Sequence, residues 1–330
     1  KQYETPPPKG FPRETVLGYK RKGRWFWPLE VEDCLIAPKG MRELFASVRA
    51  WYQERGHRAY NNKSGEGTLR NLLVREGKRT GERMVVLITT PGDEPYEGFV
   101  EAIQRAWPAH SIQHGTSDSR ADTSLCSDLR VLHGNAFIRE ELHLGGQVIS
   151  FQISPMSFFQ TNTLATEGLY GAVRDWAAPL RPAVLYDLYG GMGGIAMTCA
   201  HLADRIISVE SIEAASLDGR GNVERNGFSN IEFVTDTVEA YLRKLRDAGG
   251  LPENAAVIVD PPRAGLHPKA LKRLLELAPR HLLYVSCNPK LLAQEWSLLQ
   301  TRYRLRSLQG FDLFPHTPHV ELVAALECLD

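Results

Sequence analysis

Val184-Leu-Tyr-Asp-Leu-Tyr-Gly-Gly-Met-Gly-Gly194 decides the fold. An apolar run ends in an acid and then in clustered glycines. That is the pattern of a buried strand that turns sharply into a helix and lets a ligand approach the backbone. Working outward, Arg205-Ile-Ile-Ser-Val-Glu210, residues 231–235, Ala256-Val-Ile-Val-Asp260 and Leu282-Leu-Tyr-Val-Ser286 read as further strands. Helical patterns separate them, at 196–203 among other places, and one over about 162–178 leads in. Two more strands fit the tail. Strands alternating with helices predict a parallel α/β sheet with right-handed crossovers over 151–330. Glu210 follows Gly190 by 20 residues. An acid there can accept hydrogen bonds from ribose hydroxyls, so the pair fits a nucleoside cofactor, although the loop is not GxGxxG.

Residues 1–150 read as a separate α+β domain. GYKRKGRWFW (18–27) suits a strand or hairpin, and apolar residues from Met41 to Tyr52 fall at helical spacing before Gly56. LRNLLVREG and ERMVVLITT read as strands around a Gly-Lys-Arg-Thr-Gly turn. Residues 97–107 read as a helix, and 109–153 as several short strands. The opening residues, from Lys1, read as the interior of a longer chain.

The composition, 43% hydrophobic and 24% charged, is that of a globular chain and excludes a largely disordered one. No apolar run reaches the roughly 18 residues of a membrane span, and the residues given show no signal-peptide pattern. The cysteines at 34, 126, 199, 287 and 328 are odd in number and scattered, which points away from a disulfide framework and toward the cytoplasm. No CxxC or HExxH offers a local metal site. A monomer is the default. The zero net charge conceals 18 Lys/Arg against 10 Asp/Glu in residues 1–90, and 21 against 29 afterwards. A basic front part is what a polyanion contact needs, although from charge alone a solvated surface is the favoured reading.

Three further stretches carry chemistry at strand ends, where open α/β sheets bind ligands. Asp260-Pro-Pro-Arg263 follows an apolar strand; its Asp can face the site or cap a helix, and Arg263 can be a surface charge. Cys287 lies between a strand and a helix start, where a helix amino end lowers a thiol pKa and favours the thiolate. Phe314-Pro-His-Thr-Pro-His-Val-Glu321 precedes the last strand; Glu321 can act as a general base and His316 or His319 can hydrogen-bond a substrate. Cys199 reads as core.

Taken in order, SFFQTN (157–162), DLYGGMGG (187–194), VE (209–210), DPPRAG (260–265), YVSCNP (284–289) and FPHTPHVE (314–321) resemble the S-adenosylmethionine-dependent RNA uracil-5 methyltransferases. These enzymes make 5-methyluridine in tRNA and 23S rRNA. The resemblance implies a class I, Rossmann-like methyltransferase domain after an α+β RNA-binding central domain. It implies S-adenosylmethionine binding by Gln160, Tyr189, Glu210 and Asp260, with Asp236 near the adenine. Cys287 matches the nucleophile and Glu321 the base that removes the C5 proton. VEDCLIAP resembles the segment carrying the last ligand of the family's iron–sulfur cluster, with Cys34 as that ligand. No cysteine precedes Cys34, so a cluster would need cysteines outside this chain. Where the family usually carries Cys after DLY or DLF, this chain has Gly190. LRNLLVREG leans toward the 23S rRNA branch over tRNA. The competing readings are an RNA-binding or RNA-folding protein of this fold without methyl transfer, and a same-fold methyltransferase acting on another substrate.

Overall fold

The computed structural model describes residues 14–21, 24–62, 64–92, 96–120 and 123–329. Contacts divide the chain into two compact units, one ending at Ile138 and the other comprising Arg139 onward together with Lys78–Thr80.

In the first unit, β1 (Gly18–Arg21) and β2 (Arg24–Glu30) form the hairpin expected there. The side chains of Trp25, Phe26 and Trp27 lie outside the described residues. Then come α1 (Met41–Glu54), β3 (Leu69–Glu76), β4 (Arg83–Thr89), α2 (Phe99–Ala106), β5 (Ser111–Thr116) and β6 (Ser127–Gly134). The sheet order is β3-β4-β5-β6, with only β4 and β5 parallel. The helical spacing of Leu44, Phe45, Val48 and Trp51 puts them on one face of α1. There they pack with Phe99 and Ile103 of α2 against Val85, Leu87 and Ile112 of the sheet.

The second unit opens with the hairpin β7 (Ile138–Leu144) and β8 (Gln147–Ile153). The sequence reading drew the boundary at 150, whereas this hairpin is bonded to the following helices. Within this unit the buried Glu140 carboxylate accepts from the backbone N–H of Lys78 at 2.5 Å, the N–H of Arg79 at 2.9 Å and the Thr163 hydroxyl at 2.5 Å. A buried carboxylate requires such donors.

After it come α3 (Thr163–Ala177), β9 (Val184–Leu188), α4 (Gly194–Thr198), β10 (Arg205–Glu210), α5 (Glu213–Arg225), β11 (Ile231–Thr235) and α6 (Val238–Asp247). The chain continues through β12 (Ala255–Val259), α7 (Pro268–Leu277), β13 (His281–Ser286), α8 (Pro289–Leu299), β14 (Tyr303–Phe311) and β15 (Glu321–Cys328). The sheet order is β11-β10-β9-β12-β13-β15-β14. The first five of these strands are parallel, as expected, and β15 runs antiparallel to both of its neighbours. The tail departs from the alternating pattern because no helix separates β14 from β15, so the chain returns as a hairpin. The strand order reverses at β9. The carboxyl ends of β9 and β12 are therefore the switch point at which such sheets bind ligands.

The α5 helix is tied to β8 by side chains four residues apart. Asn226 accepts from Ser150 N–H at 2.9 Å and donates to Ser150 C=O at 2.7 Å. Asn222 accepts from Gln152 N–H at 2.8 Å and donates to its C=O at 3.4 Å. Asp218 accepts from the hydroxyls of Ser154 and Ser157. Each amide thus stands in for a missing strand neighbour and satisfies the edge of β8.

Candidate active site

The turn after β9 is shaped by backbone demands. Gly193 has φ 83°, and a β-carbon there would stand 2.6 Å from the Phe233 ring. Gly191 has φ 56°, yet no atom lies within 4 Å of where its β-carbon would be. The loop is therefore packed beneath and open above, which fits a cradle for a nucleoside cofactor. Tyr189 adopts φ 66° without being glycine. Its ring packs into the core, and burial pushes the phenol up to about 12. What Tyr189 gives the loop is its left-handed backbone.

Glu210 braces the same loop from β10. It accepts from Gly191 N–H at 3.0 Å, Ile212 N–H at 2.7 Å and the Ser211 hydroxyl at 3.2 Å. Asp236 follows β11, and its backbone N–H donates to the Glu210 carbonyl at 3.0 Å. Its carboxylate is held at 2.7 Å by Lys244, which with Thr237 N–H keeps it below the usual range. Gln160 is buried on the approach to α3, near the Tyr170 phenol, whose ring packs on Gly194.

Beneath the loop, Asp187 is fully buried and its pKa is pushed up to about 7. Burial dominates, against hydrogen bonds from Ser208 and the backbone of Ala196. Asp260 stands one residue beyond β12, with its N–H donating to Leu188 C=O at 3.2 Å. Burial, then the charges of Glu321 and Asp187, push it up to about 8.

The β13–β15 register pairs Ser286 with Leu322. Cys287 and Glu321 are the next residues on the two segments, near enough for the Glu321 charge to act on the thiol. Cys287 is half-buried and Glu321 is 4% exposed. Burial raises the Glu321 carboxyl, and the Arg263 charge opposes the rise. The sequence reading expected a lowered thiol pKa at Cys287. The structure corrects this: burial, followed by the Glu321 and Asp260 charges, pushes the thiol up, and Arg263 opposes them only in part. Proximity to the α8 amino end does not outweigh a dry setting and two acids.

Cys287, Glu321, Asp260 and Arg263 are therefore brought together at one sheet edge. Asp236 is drawn toward α6 instead, and Tyr189 turns its phenol into the core. The sequence reading leaves Arg263 either aimed at this edge or a surface charge, and Ser208 and Tyr170 read simply as strand and helix residues. Cys34 is a free thiol beside the Tyr19 phenol. Among the described residues no three His, Cys, Asp or Glu are grouped to hold a metal, so an iron–sulfur cluster does not fit the residues present. Among the described residues no helix is long and apolar enough to cross a membrane.

Comparison with known proteins shows which family the chain resembles along its length. An uncharacterised RNA methyltransferase of Clostridium tetani is 34% identical over 322 residues, covering 96% of this chain and 69% of that protein. The crystal structure of Pyrococcus abyssi tRNA (uracil-54, C5)-methyltransferase in complex with S-adenosyl-L-homocysteine is 32% identical, with a TM-score of 0.74. That match covers 94% of this chain and 72% of that one. The structure of Methanocaldococcus jannaschii Trm5 in complex with adenosine is 12% identical, has a TM-score of 0.51, and covers 97% of this chain and 92% of its own. It shares the fold alone. Residues 124–328 match the tRNA (uracil-5-)-methyltransferase family, and with the relatives that span nearly all of the chain this establishes that the protein belongs to that family of RNA uracil-5 methyltransferases.

Proposed function

We propose that the chain methylates C5 of a uridine in a structured RNA through a covalent adduct between Cys287 and uracil C6. The observation that carries the reading is the β13–β15 register, whose last pair, Ser286 with Leu322, is followed by Cys287 on one segment and preceded by the buried Glu321 on the other, the Glu321 charge acting on the thiol. The cofactor, S-adenosylmethionine, supplies the methyl group. Gly191, Glu210, Gln160 and the backbone of Tyr189 line the region where it would be held.

Uracil C5 is too poor a nucleophile to attack a sulfonium unaided. The Cys287 thiol gives its proton to solvent, and the thiolate adds to C6, making an enolate whose C5 can accept the methyl group. Glu321 then takes the C5 proton, the C5–C6 double bond re-forms and the Cys287 sulfur leaves. A raised pKa suits Glu321 to that role, because a stronger base removes a carbon-bound proton more readily. Asp260, near 8, carries a proton at neutral pH and can donate a hydrogen bond where enolate charge develops. Arg263 supplies positive charge beside the thiolate. The target base must leave its stack to reach this edge, at a cost of a few kcal/mol for a paired base and less in a loop.

For the substrate, the LRNLLVREG stretch supports 23S rRNA. The likeness to the Pyrococcus tRNA enzyme favours tRNA as the second reading. The basic front part suits either. The Glu321→Gln variant tests the reading with unmodified tRNA and 23S rRNA fragments plus S-adenosylmethionine. The methylated adduct should accumulate on one of them, because its C5 proton can no longer be removed. Rapid turnover by this variant would exclude Glu321 as the base.

A further inference from the structure

We infer that Glu295, eight residues beyond the nucleophile on α8, is a positioning residue that holds the 260–266 loop against Cys287. The inference rests on the reading of Cys287 as nucleophile. Glu295 uses both carboxylate oxygens. Oε1 accepts from the backbone N–H of Leu266 at 2.8 Å, and Oε2 accepts from the Tyr284 hydroxyl at 2.6 Å. Tyr284 is 1% exposed and lies on β13, the strand that ends at the nucleophile. Gly265 has φ 77°, and a β-carbon there would stand 2.4 Å from Oε1, so the loop closes directly onto the carboxylate.

A second tie runs nearer the thiol. Asn288 does not cap α8 with its side chain; it donates instead to the Arg263 carbonyl at 3.2 Å. The loop carrying Asp260 and Arg263 is thus pinned at 263 and 266 to the helix that begins beside Cys287. Arg263 is exposed and, among the described residues, forms no salt bridge; its charge acts on Glu321 and Cys287, and the Asn288 tie at its carbonyl fixes where its backbone lies. Releasing Glu295 would let that charge move away from the sulfur, lowering thiolate reactivity with little change at Gly191 and Glu210.

The test uses the full chain in four forms: wild type, Glu295→Leu, Glu295→Gln and Gly265→Ala. The first readout is alkylation of Cys287 by iodoacetamide at pH 8, followed by mass spectrometry of its peptide. The second is the S-adenosylmethionine Kd. The third is the rate of covalent trapping on whichever 5-fluorouridine RNA, tRNA or 23S fragment, the wild type traps.

Glu295→Leu and Gly265→Ala should each slow alkylation by about threefold or more and trapping by about tenfold or more, with the Kd changed by less than about twofold. Glu295→Gln, whose amide oxygen can accept from Leu266 N–H while its NH2 donates to the Tyr284 hydroxyl oxygen, should return to within about threefold of wild type. Should Glu295→Leu fail to fold, Gly265→Ala carries the test from the loop side. Wild-type alkylation in Gly265→Ala, or an equal loss of cofactor binding, would overturn the inference. Failure of the underlying reading looks different: wild type and Cys287→Ala would then trap alike, whatever Glu295 does.

Discussion

A β-carbon on Gly190 would stand 1.9 Å from the Ser208 hydroxyl oxygen, so the two positions share one space. No positive φ is recorded for Gly190; it is held small by its neighbour. Ser208 uses that space to donate to the buried Asp187 at 3.1 Å. This accounts for a glycine at the position where the family resemblance led to the expectation of cysteine. Gly190→Cys alone should destabilise the fold by about 1–3 kcal/mol through overpacking. Added to Ser208→Ala, it should cost at least about 1 kcal/mol less, a coupling read from a urea double-mutant cycle.

Asp187 and Asp260 hold their protons to about pH 7 and pH 8 in the folded chain, far above an unfolded aspartate. Between roughly pH 4 and 8 the native state therefore binds more protons than the unfolded one, and stability falls as pH rises. The Tm should drop between pH 5 and pH 8. Asp187→Asn should flatten part of that slope, because its amide carries no charge to desolvate. A slope unchanged in Asp187→Asn would contradict the assignment.

The α5 ladder can be tested at its end and its start. Asn226→Ala leaves both backbone groups of Ser150 without their partner, a loss of about 1–3 kcal/mol in chemical denaturation. Asp218→Ala instead frees the loop before Gln160. It should weaken S-adenosylmethionine binding severalfold in calorimetry while trapping at saturating cofactor stays near wild type.

Because the Cys287 thiol is raised by burial and by its acidic neighbours, trapping should speed up as pH climbs above 8, close to tenfold per pH unit until the thiol is ionised. Arg263→Ala should move that rise to higher pH, and Arg263→Lys should recover part of it. Stopped-flow or quench measurements across pH 7–10 would show the displacement. A profile already flat at pH 7 would mean a thiolate at rest.

The strands of the second unit were legible because buried parallel strands read as short apolar runs ending in Asp187, Glu210 and Asp260. Period and spacing carried that information. The pairing of Cys287 with Glu321 was legible only through resemblance, since the register joins residues far apart in sequence. The direction of the thiol shift was not legible at all. A helix amino end is a local feature, whereas the burial and the Glu321 charge that overcame it come from the tertiary fold. For the same reason the pairing of Asp236 with Lys244, a partner on the next helix, is announced by no motif. The ties of Asn222 and Asn226 to β8, which bind the β7–β8 hairpin to the second unit, are long-range and have no local sequence signal.

The most direct test of the central claim is covalent capture on RNA carrying 5-fluorouridine with S-adenosylmethionine present. Fluorine at C5 cannot be removed as a proton, so the sulfur stays bonded to C6. A slowly migrating protein–RNA band on a denaturing gel, formed by the wild type and absent from Cys287→Ala, is the predicted result. A band that persists in Cys287→Ala would contradict the account, because some other residue would then be the nucleophile.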